Sequence, residues 1–316
     1  TSIGLLLPAI IWTYSAAGTG TFTPGGILEG HIAGPAVGLL LGLFVFGIGK
    51  AAVMPVHRWL PAAMVAPTPV SALLHAVAVV KAGVFTVTKV IIYIFGVDFL
   101  FAEPSSGWLV YVAAFTIIGA SVVALRQQNL KRLLAYSTVA QLSYVVMATA
   151  ILKPLAEIGA AVHMVAHAFG KITLFFAAGA ILVASHKKRV SELNGLGRAM
   201  PVTFAAFFIG TLSIIGLPPL GGMWSKWYLG LGTVETAQLL LLAVLMISSL
   251  LNIIYLLPIP IRAFFSKPES GTHYTEIAEA PMPMLLAMVI TSIACVILFF
   301  YPDAFYRLAG LAARGY

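Results

Sequence analysis

The stretch AEIGAAVHMVAHAFGKITLFFAAGAILVAS, residues 156–185, decides the fold class. It is apolar for longer than the ~20 residues a helix needs to cross a ~30 Å hydrocarbon core, yet it carries His163, His167 and Lys171. Their spacing of i, i+4, i+8 stacks them on one face of a helix, in a row ~12 Å long at ~1.5 Å per residue. Histidine titrates near neutral pH and can accept a proton at one ring nitrogen while donating from the other. Lysine gives up its proton when desolvated. A single histidine here would read as a satisfied core residue or a polar helix–helix contact. Three titratable groups in register outline a proton wire.

The rest of the chain has the same character. Of 316 residues, 60% are hydrophobic and 9% charged, against about 25% charged in soluble domains, and mean hydropathy is +1.02. The expected fold is an all-α integral membrane protein, residues 1–316 forming one transmembrane domain. Nine spans are predicted, near 1–17, 34–54, 69–97, 105–126, 133–152, 156–185, 200–231, 238–264 and 281–301. Two are expected to be discontinuous. The second runs apolar to Lys50 and then meets Pro55, Pro61, Pro67 and Pro69; the seventh carries Gly216, Pro218, Pro219, Gly221 and Gly222 at its middle. Proline removes a backbone donor and clashes with the preceding turn, and freed backbone groups survive in lipid only where protein or a wet cavity satisfies them. Broken helices near the midplane are a device of ion transporters; an ordinary kink is the plainer reading.

Five lysines fall in apolar spans: Lys50, Lys81, Lys89, Lys171 and Lys226. An ionised group near the bilayer centre costs ~3 kcal/mol or more, so such residues are functional candidates by default. Lys89 sits toward the end of its span, where a long side chain snorkels to the interface. His75 and Lys81 share the third span six residues apart, off a common face but able to point to one polar axis from successive turns. All ten acids fall in loops or near span ends. Buried charges need partners, so a carboxylate is expected from an upstream helix or a neighbouring chain. The single cysteine, Cys295, permits neither a disulfide nor a cysteine metal site within the chain.

Orientation follows from loop charge. Arg58, Arg126, Lys131, Arg132, Lys187, Lys188, Arg189, Arg198, Arg262 and Lys267 collect on one side; Lys153, Arg307 and Arg314 lie on the other. The positive-inside rule makes the first side cytoplasmic, with Thr1 on it and Tyr316 opposite. The net charge of +8 reflects these loops and not nucleic-acid binding. The basic 186–198 loop suits anionic lipid or an adjacent subunit. No signal peptide is read at the N-terminus, and the chain is expected to lack upstream helices.

The stretch KAAVMPVHRWLPAAMVAPTPVSALLHAVAVVKAGVFTVTKVIIYIFG (50–96), with LKRLLAYSTVAQLSY (130–144), HMVAHAFGKITLFFAAG (163–179) and LPPLGGMWSKWYL (217–229), resembles the antiporter-like subunits of respiratory complex I and of Mrp-type Na⁺/H⁺ antiporters, nearest the Mrp-type branch. The motifs occur in family order across most of the chain. The resemblance implies fourteen core helices in two inverted five-helix repeats, of which this chain matches the last nine. Residues 1–54 would be the remnant of the first repeat, 55–231 the nearly complete second, and 232–316 flanking helices. It further implies that Lys50 is the lysine of the first broken helix, partnered by a glutamate on an earlier helix. Lys171 is the central-axis lysine, with His163 and His167 beside it, and Lys226 follows the second break near an exit half-channel. His75 matches a histidine of one branch and Lys81 a lysine of another. Gly170 stands where many relatives carry a bulkier residue.

The favoured function is proton translocation along a Lys/His/water axis, as a subunit of a multisubunit cation/proton antiporter in a bacterial or archaeal cytoplasmic membrane. The alternative is a proton-pumping subunit of a redox-driven complex. The expected partners are other membrane subunits, the lipid bilayer, H⁺ and, in an antiporter, Na⁺. No Fe–S ligand set, nucleotide fingerprint or flavin motif is present, so no cofactor is expected. A haem protein, with His75 and His163 or His167 as axial ligands, would explain the histidines but neither the lysines nor the broken helices.

Overall fold

The computed structural model describes residues 2–268 and 276–313. Thr1, Arg314 and Tyr316, and with them the expected sides of the two termini, lie outside the described residues. All regular structure among the described residues is helical, apart from a single antiparallel bridge between Asn129 and Arg189. The principal helices are α1 (Ser2–Ala17), α2 (Pro35–Gly47), α3 (Thr68–Phe95), α4 (Trp108–Leu125), α5 (Leu130–Ala150), α6 (Pro154–Ser185), α7 (Pro201–Ile215), α8 (Gly222–Glu235), α9 (Leu239–Phe265), α10 (Met282–Phe300) and α11 (Asp303–Ala313).

Six helical segments are long and apolar enough to cross a membrane: α3, Pro104–Leu125, α5, α6, α9 and α10. The remaining three expected spans are built from shorter pieces. α1 has 16 residues, α2 has 13, and the seventh span is split into α7 of 15 and α8 of 14. The outward faces of α9 and α10 are apolar, with Leu250, Ile254, Leu286, Ile290, Ile293 and Phe300 all more than half exposed. That is the exterior of a protein solvated by lipid.

α6 lies at the centre, in contact with α3, α5, α7, α8, α10 and α11. α5 beside it is buried on nearly all sides, 17 of its 21 residues being inaccessible. A helix buried all round would ordinarily be apolar all round; α5 instead carries Ser137, Gln141 and Tyr144, at i, i+4 and i+7, along one stripe.

Both expected breaks are present, and each has its freed backbone groups met by side chains. α2 stops at Gly47 and is followed by short turns through Val65. There Trp59 Nε1 donates to the Gly49 carbonyl at 2.8 Å, the Met54 N–H donates to Thr116 Oγ1 at 3.2 Å, and Lys131 Nζ donates to the Ala66 carbonyl at 2.6 Å. At the second break the Gly221 N–H donates to the Cys295 carbonyl on α10 at 3.0 Å. The Ile215 carbonyl accepts from Lys226 Nζ at 2.7 Å. α3 is continuous but π-wound over Leu73–Val77 and Val90–Phe95. The first π-turn contains His75 and shifts the helical phase ahead of Lys81, and both side chains meet α6, His75 at Phe175 and Lys81 at His167.

Outside the spans, two loops are pinned. The Glu192 carboxylate accepts from the backbone N–H groups of Arg189 at 2.9 Å and Lys188 at 3.1 Å. Those bonds hold its pKa below the usual carboxylate range. Glu279 closes the segment before α10 onto the start of α7, accepting from the Val202 N–H at 2.7 Å, the Thr203 N–H at 3.2 Å and Thr203 Oγ1 at 2.5 Å.

The second break depends on a backbone approach only glycine permits. A Cβ on Gly222 would lie 1.8 Å from the Ser213 carbonyl oxygen. Gly222→Ala is therefore expected to lower the detergent-solubilised unfolding midpoint by several degrees, as a clash of more than ~1 kcal/mol does. Gly230→Ala on the same helix, whose Cβ would meet Leu242 at an ordinary 3.7 Å, should leave it within about a degree. Thermal unfolding of the two variants checks this.

Candidate functional site

The histidine–lysine row of α6 is buried: His163, His167 and Lys171 are at most 3% exposed. Each member turns to a different helix. Lys171 Nζ donates to Ser137 Oγ on α5 at 2.6 Å and more weakly to the Leu134 carbonyl at 3.4 Å. Tyr255 on α9 donates to the same Ser137 oxygen at 3.0 Å and is also hydrogen-bonded to Asn252. Lys81 Nζ on α3 donates to His167 Nδ1. His163 Nδ1 meets Ser225 Oγ on α8 at 2.9 Å, and Ser225 donates its own hydrogen to the Gly222 carbonyl at 2.9 Å.

Those contacts assign the neutral tautomers. Ser225 has spent its hydrogen, so it accepts from His163; that proton is on Nδ1, and Nε2 is left as an acceptor. His167 accepts from Lys81 at Nδ1, so its proton is on Nε2. Both Nε2 atoms are buried without a hydrogen-bond partner, and the two rings are 5.9 Å apart. An open acceptor and an open donor thus stand side by side on one helix face.

The row continues past His163. Tyr144 on α5, fully buried, stacks on the His163 ring with centroids 5.5 Å apart. Lys226 Nζ lies 5.2 Å from the centroid of the Tyr144 ring. Lys226 also donates to Ser249 Oγ at 3.0 Å. Its bond to the Ile215 carbonyl places the cation at the C-terminal, negative end of the α7 half-helix. Lys171, His167, His163, Tyr144 and Lys226 therefore form one polar file through the packed interior, with Lys81 joined at His167.

Two expected members stand apart from that file. His75 is fully buried against the Phe175 ring, centroids 5.0 Å apart, with neither ring nitrogen hydrogen-bonded. Lys50 is exposed, not embedded: it lines a groove with Ser2, Arg58 and Trp59, without a hydrogen-bond or ion-pair partner among the described residues. Its place follows from the break, which ends α2 three residues earlier. Lys89 does not snorkel free. Its ammonium sits 4.1 Å from the Phe22 ring centroid, with Tyr93 and Phe85 about it at 5.9 and 6.0 Å. Gly170 brings α6 onto α7: a Cβ there would lie 3.0 Å from Ile214 Cδ1.

Sequence reasoning missed Ser137, Gln141, Tyr144, Ser225, Ser249, Asn252 and Tyr255. Hydroxyls are common in membrane helices, and only the i, i+4, i+7 spacing on α5 could have singled any of them out. It also placed every acid near a loop or span end. Glu157 does lie near an end, yet it is 5% exposed with both carboxylate oxygens unpartnered.

Comparison with known proteins agrees with this architecture. The chain is 38% identical over 258 residues to NADH-quinone oxidoreductase subunit N of Desulforudis audaxviator (strain MP104C), covering 79% of this chain and 49% of that protein. Its fold matches a chain of the Mrp complex from Dietzia sp. DQ12-45-1b with TM-score 0.85 and 22% identity, over 99% of this chain and 65% of that one. A chain of the membrane-bound sulfane sulfur reductase, an archaeal respiratory membrane complex, matches with TM-score 0.82 and 24% identity, over 99% and 63%. The sequence thus spans about half the length of that curated relative and under two thirds of these structural neighbours. Residues 1–252 match the transmembrane family described as NADH:quinone oxidoreductase/Mrp antiporter, TM; the chain is an integral membrane protein and belongs to that family.

Proposed function

We propose that this chain is a proton-translocating, antiporter-like module of a multisubunit membrane complex, and that the buried file from Lys171 to Lys226 is its conduction axis. The observation that carries the reading is the pair of unpartnered Nε2 atoms on His163 and His167, an acceptor and a donor 5.9 Å apart by ring centroid. Buried polar atoms are almost always satisfied, and a bridging water would satisfy both while joining Lys81 and Lys171 to Tyr144 and Lys226. A proton entering at one lysine raises the energy of charging the next, because unit charges interact across a poorly screened interior. Protonation states along the axis are then coupled and titrate together.

Nine crossings are proposed, the second and seventh broken, with the basic 186–198 loop in the cytoplasm. Residues 1–54 belong to a first repeat, 55–231 to a second and 232–316 to the flank. Lys50 waits for a carboxylate from an upstream helix or a neighbouring chain, and His75 lies at the Lys171 end of the axis. The driving reaction belongs to the partners. The relatedness to a NADH-quinone oxidoreductase component favours a redox-driven complex; the family description, which spans both classes, equally accommodates a cation/proton antiporter that exchanges Na⁺ for H⁺. Purifying the complex through this chain and identifying its components by mass spectrometry separates the two. Peripheral Fe–S or flavin proteins would assign it to a redox complex, and membrane subunits alone to an antiporter.

The axis itself is tested in that complex. Lys171→Ala and Lys226→Ala are each expected to reduce ion-coupled proton flux by ~10²-fold, the scale of a lost proton-transfer group. Unchanged flux in both, with assembly intact, would sink the reading. Ser137→Ala removes the better of the two bonds to Lys171 and should lower flux about tenfold, whereas Tyr255→Phe, which removes the hydroxyl's bonds to Ser137 and Asn252, each worth ~1 kcal/mol, but leaves both bonds to Lys171, should lower it by less.

A further inference from the structure

We infer that Glu157 is a proton-accepting site at the end of α6 remote from the basic loop, reached from the Lys81–His167 pair along the seam between α3 and α6. This rests on the relay reading and adds a branch to it, separate from the route that ends at Lys226.

Glu157 lies in the first turn of α6, where a carboxylate is welcome to the helix dipole. A capping role would put its oxygens on backbone N–H groups; both are buried and have no donor. A carboxylate held that way needs a proton, a cation or water. It lines a cavity of about 420 Å³, with Lys89 and Tyr93 on the opposite wall. That is room for several waters at ~30 Å³ each. Lys89 does not pair with it directly, because its ammonium is seated on Phe22.

The cavity borders a second groove. Phe85 and Met164 form part of the cavity wall and also part of the wall of that groove, of about 390 Å³, which is lined by Lys81. On α3, Lys81, Phe85, Thr88 and Lys89 recur at one helix face; on α6, Glu157, Ala161, Met164 and Ala168 do the same. The two faces line a seam, open on one side at the exposed Phe85, that runs from the amine bonded to His167 toward the carboxylate. Thr88, hydrogen-bonded to Thr149 at 3.2 Å, puts a hydroxyl in the wall of the Glu157 cavity. The step along it is a simple proton transfer. The Lys81 ammonium becomes the neutral amine, the Glu157 carboxylate becomes the acid, and loss of that proton to bulk water restores the carboxylate.

The test uses the assembled complex in native membranes, with Lys171→Ala as reference. Glu157→Gln keeps the shape and removes the ionisation; it should assemble and lose about tenfold or more of the proton flux, while Glu157→Asp retains most of it. An infrared carboxylic-acid band sensitive to H₂O/D₂O exchange should be present in the unaltered complex and missing in Glu157→Gln. Wild-type flux in Glu157→Gln alongside lost flux in Lys171→Ala would take Glu157 off the route and leave the relay standing. Wild-type flux in both would remove the relay itself. Should Glu157→Gln fail to assemble, Phe85→Cys decides: a bulky maleimide on that exposed wall of the seam blocks flux if the seam conducts, and unaltered flux overturns the proposal.

Discussion

A backbone carbonyl left free in hydrocarbon must find a donor, and in this protein lysine ammonium groups are among the donors at both breaks. Lys226 holds the Ile215 carbonyl at the end of α7, and Lys131 holds the Ala66 carbonyl where the first break ends. Lys171 reaches the Leu134 carbonyl besides Ser137. Each unsatisfied group in lipid costs several kcal/mol, so the breaks could not persist without these side chains. The ammonium groups in turn could not persist in an apolar core without the carbonyls and hydroxyls that the breaks and α5 supply. The broken helices and the buried lysines therefore explain one another, and neither is intelligible alone.

This mutual dependence sets what could be read from the chain beforehand. The breaks were legible at Pro55, Pro61, Pro67, Pro69 and at the Gly216–Gly222 run, because proline and glycine act on the backbone locally. The row on α6 was legible for the same reason: three residues at i, i+4, i+8 share a face whatever surrounds the helix. The partners were not. Ser137, Ser225, Ser249 and Tyr255 owe their roles to the packing of four helices on α6 and α5, and a hydroxyl in an apolar span carries no local mark of that. Lys50 and Glu157 depart from expectation in opposite directions. A lysine inside an apolar run proved exposed because α2 ends before it, and an acid near a span end proved buried, in the wall of a cavity whose other side is α3.

Length misled for a related reason. Counting apolar residues treats 200–231 as one crossing, but no single helix in it reaches the ~20 residues a crossing needs. The segment is divided between α7 and α8, and the lysine sits in the first turns of α8, its ammonium reaching back across the gap to the Ile215 carbonyl. A segment too short by length and interrupted by Gly-Leu-Pro-Pro is thus the signature of a site, not a failure of the pattern.

The direction of the helices adds an electrostatic asymmetry. Lys226 stands at the C-terminal end of a half-helix, where the dipole favours a cation, and Glu157 stands in the first turn of α6, where it favours an anion. In the proposed relay a proton held at Lys226 is stabilised by the α7 carbonyls, whereas a proton delivered to Glu157 cancels a charge that the α6 dipole favours and is the more readily released. Lys226 and the Glu157 branch therefore sit in opposite dipole environments, the carbonyl end of α7 favouring the charged ammonium and the first turn of α6 the charged carboxylate. That inequality, set by where helices begin and end, biases where charge rests along the route, while the direction of net travel comes from the driving reaction.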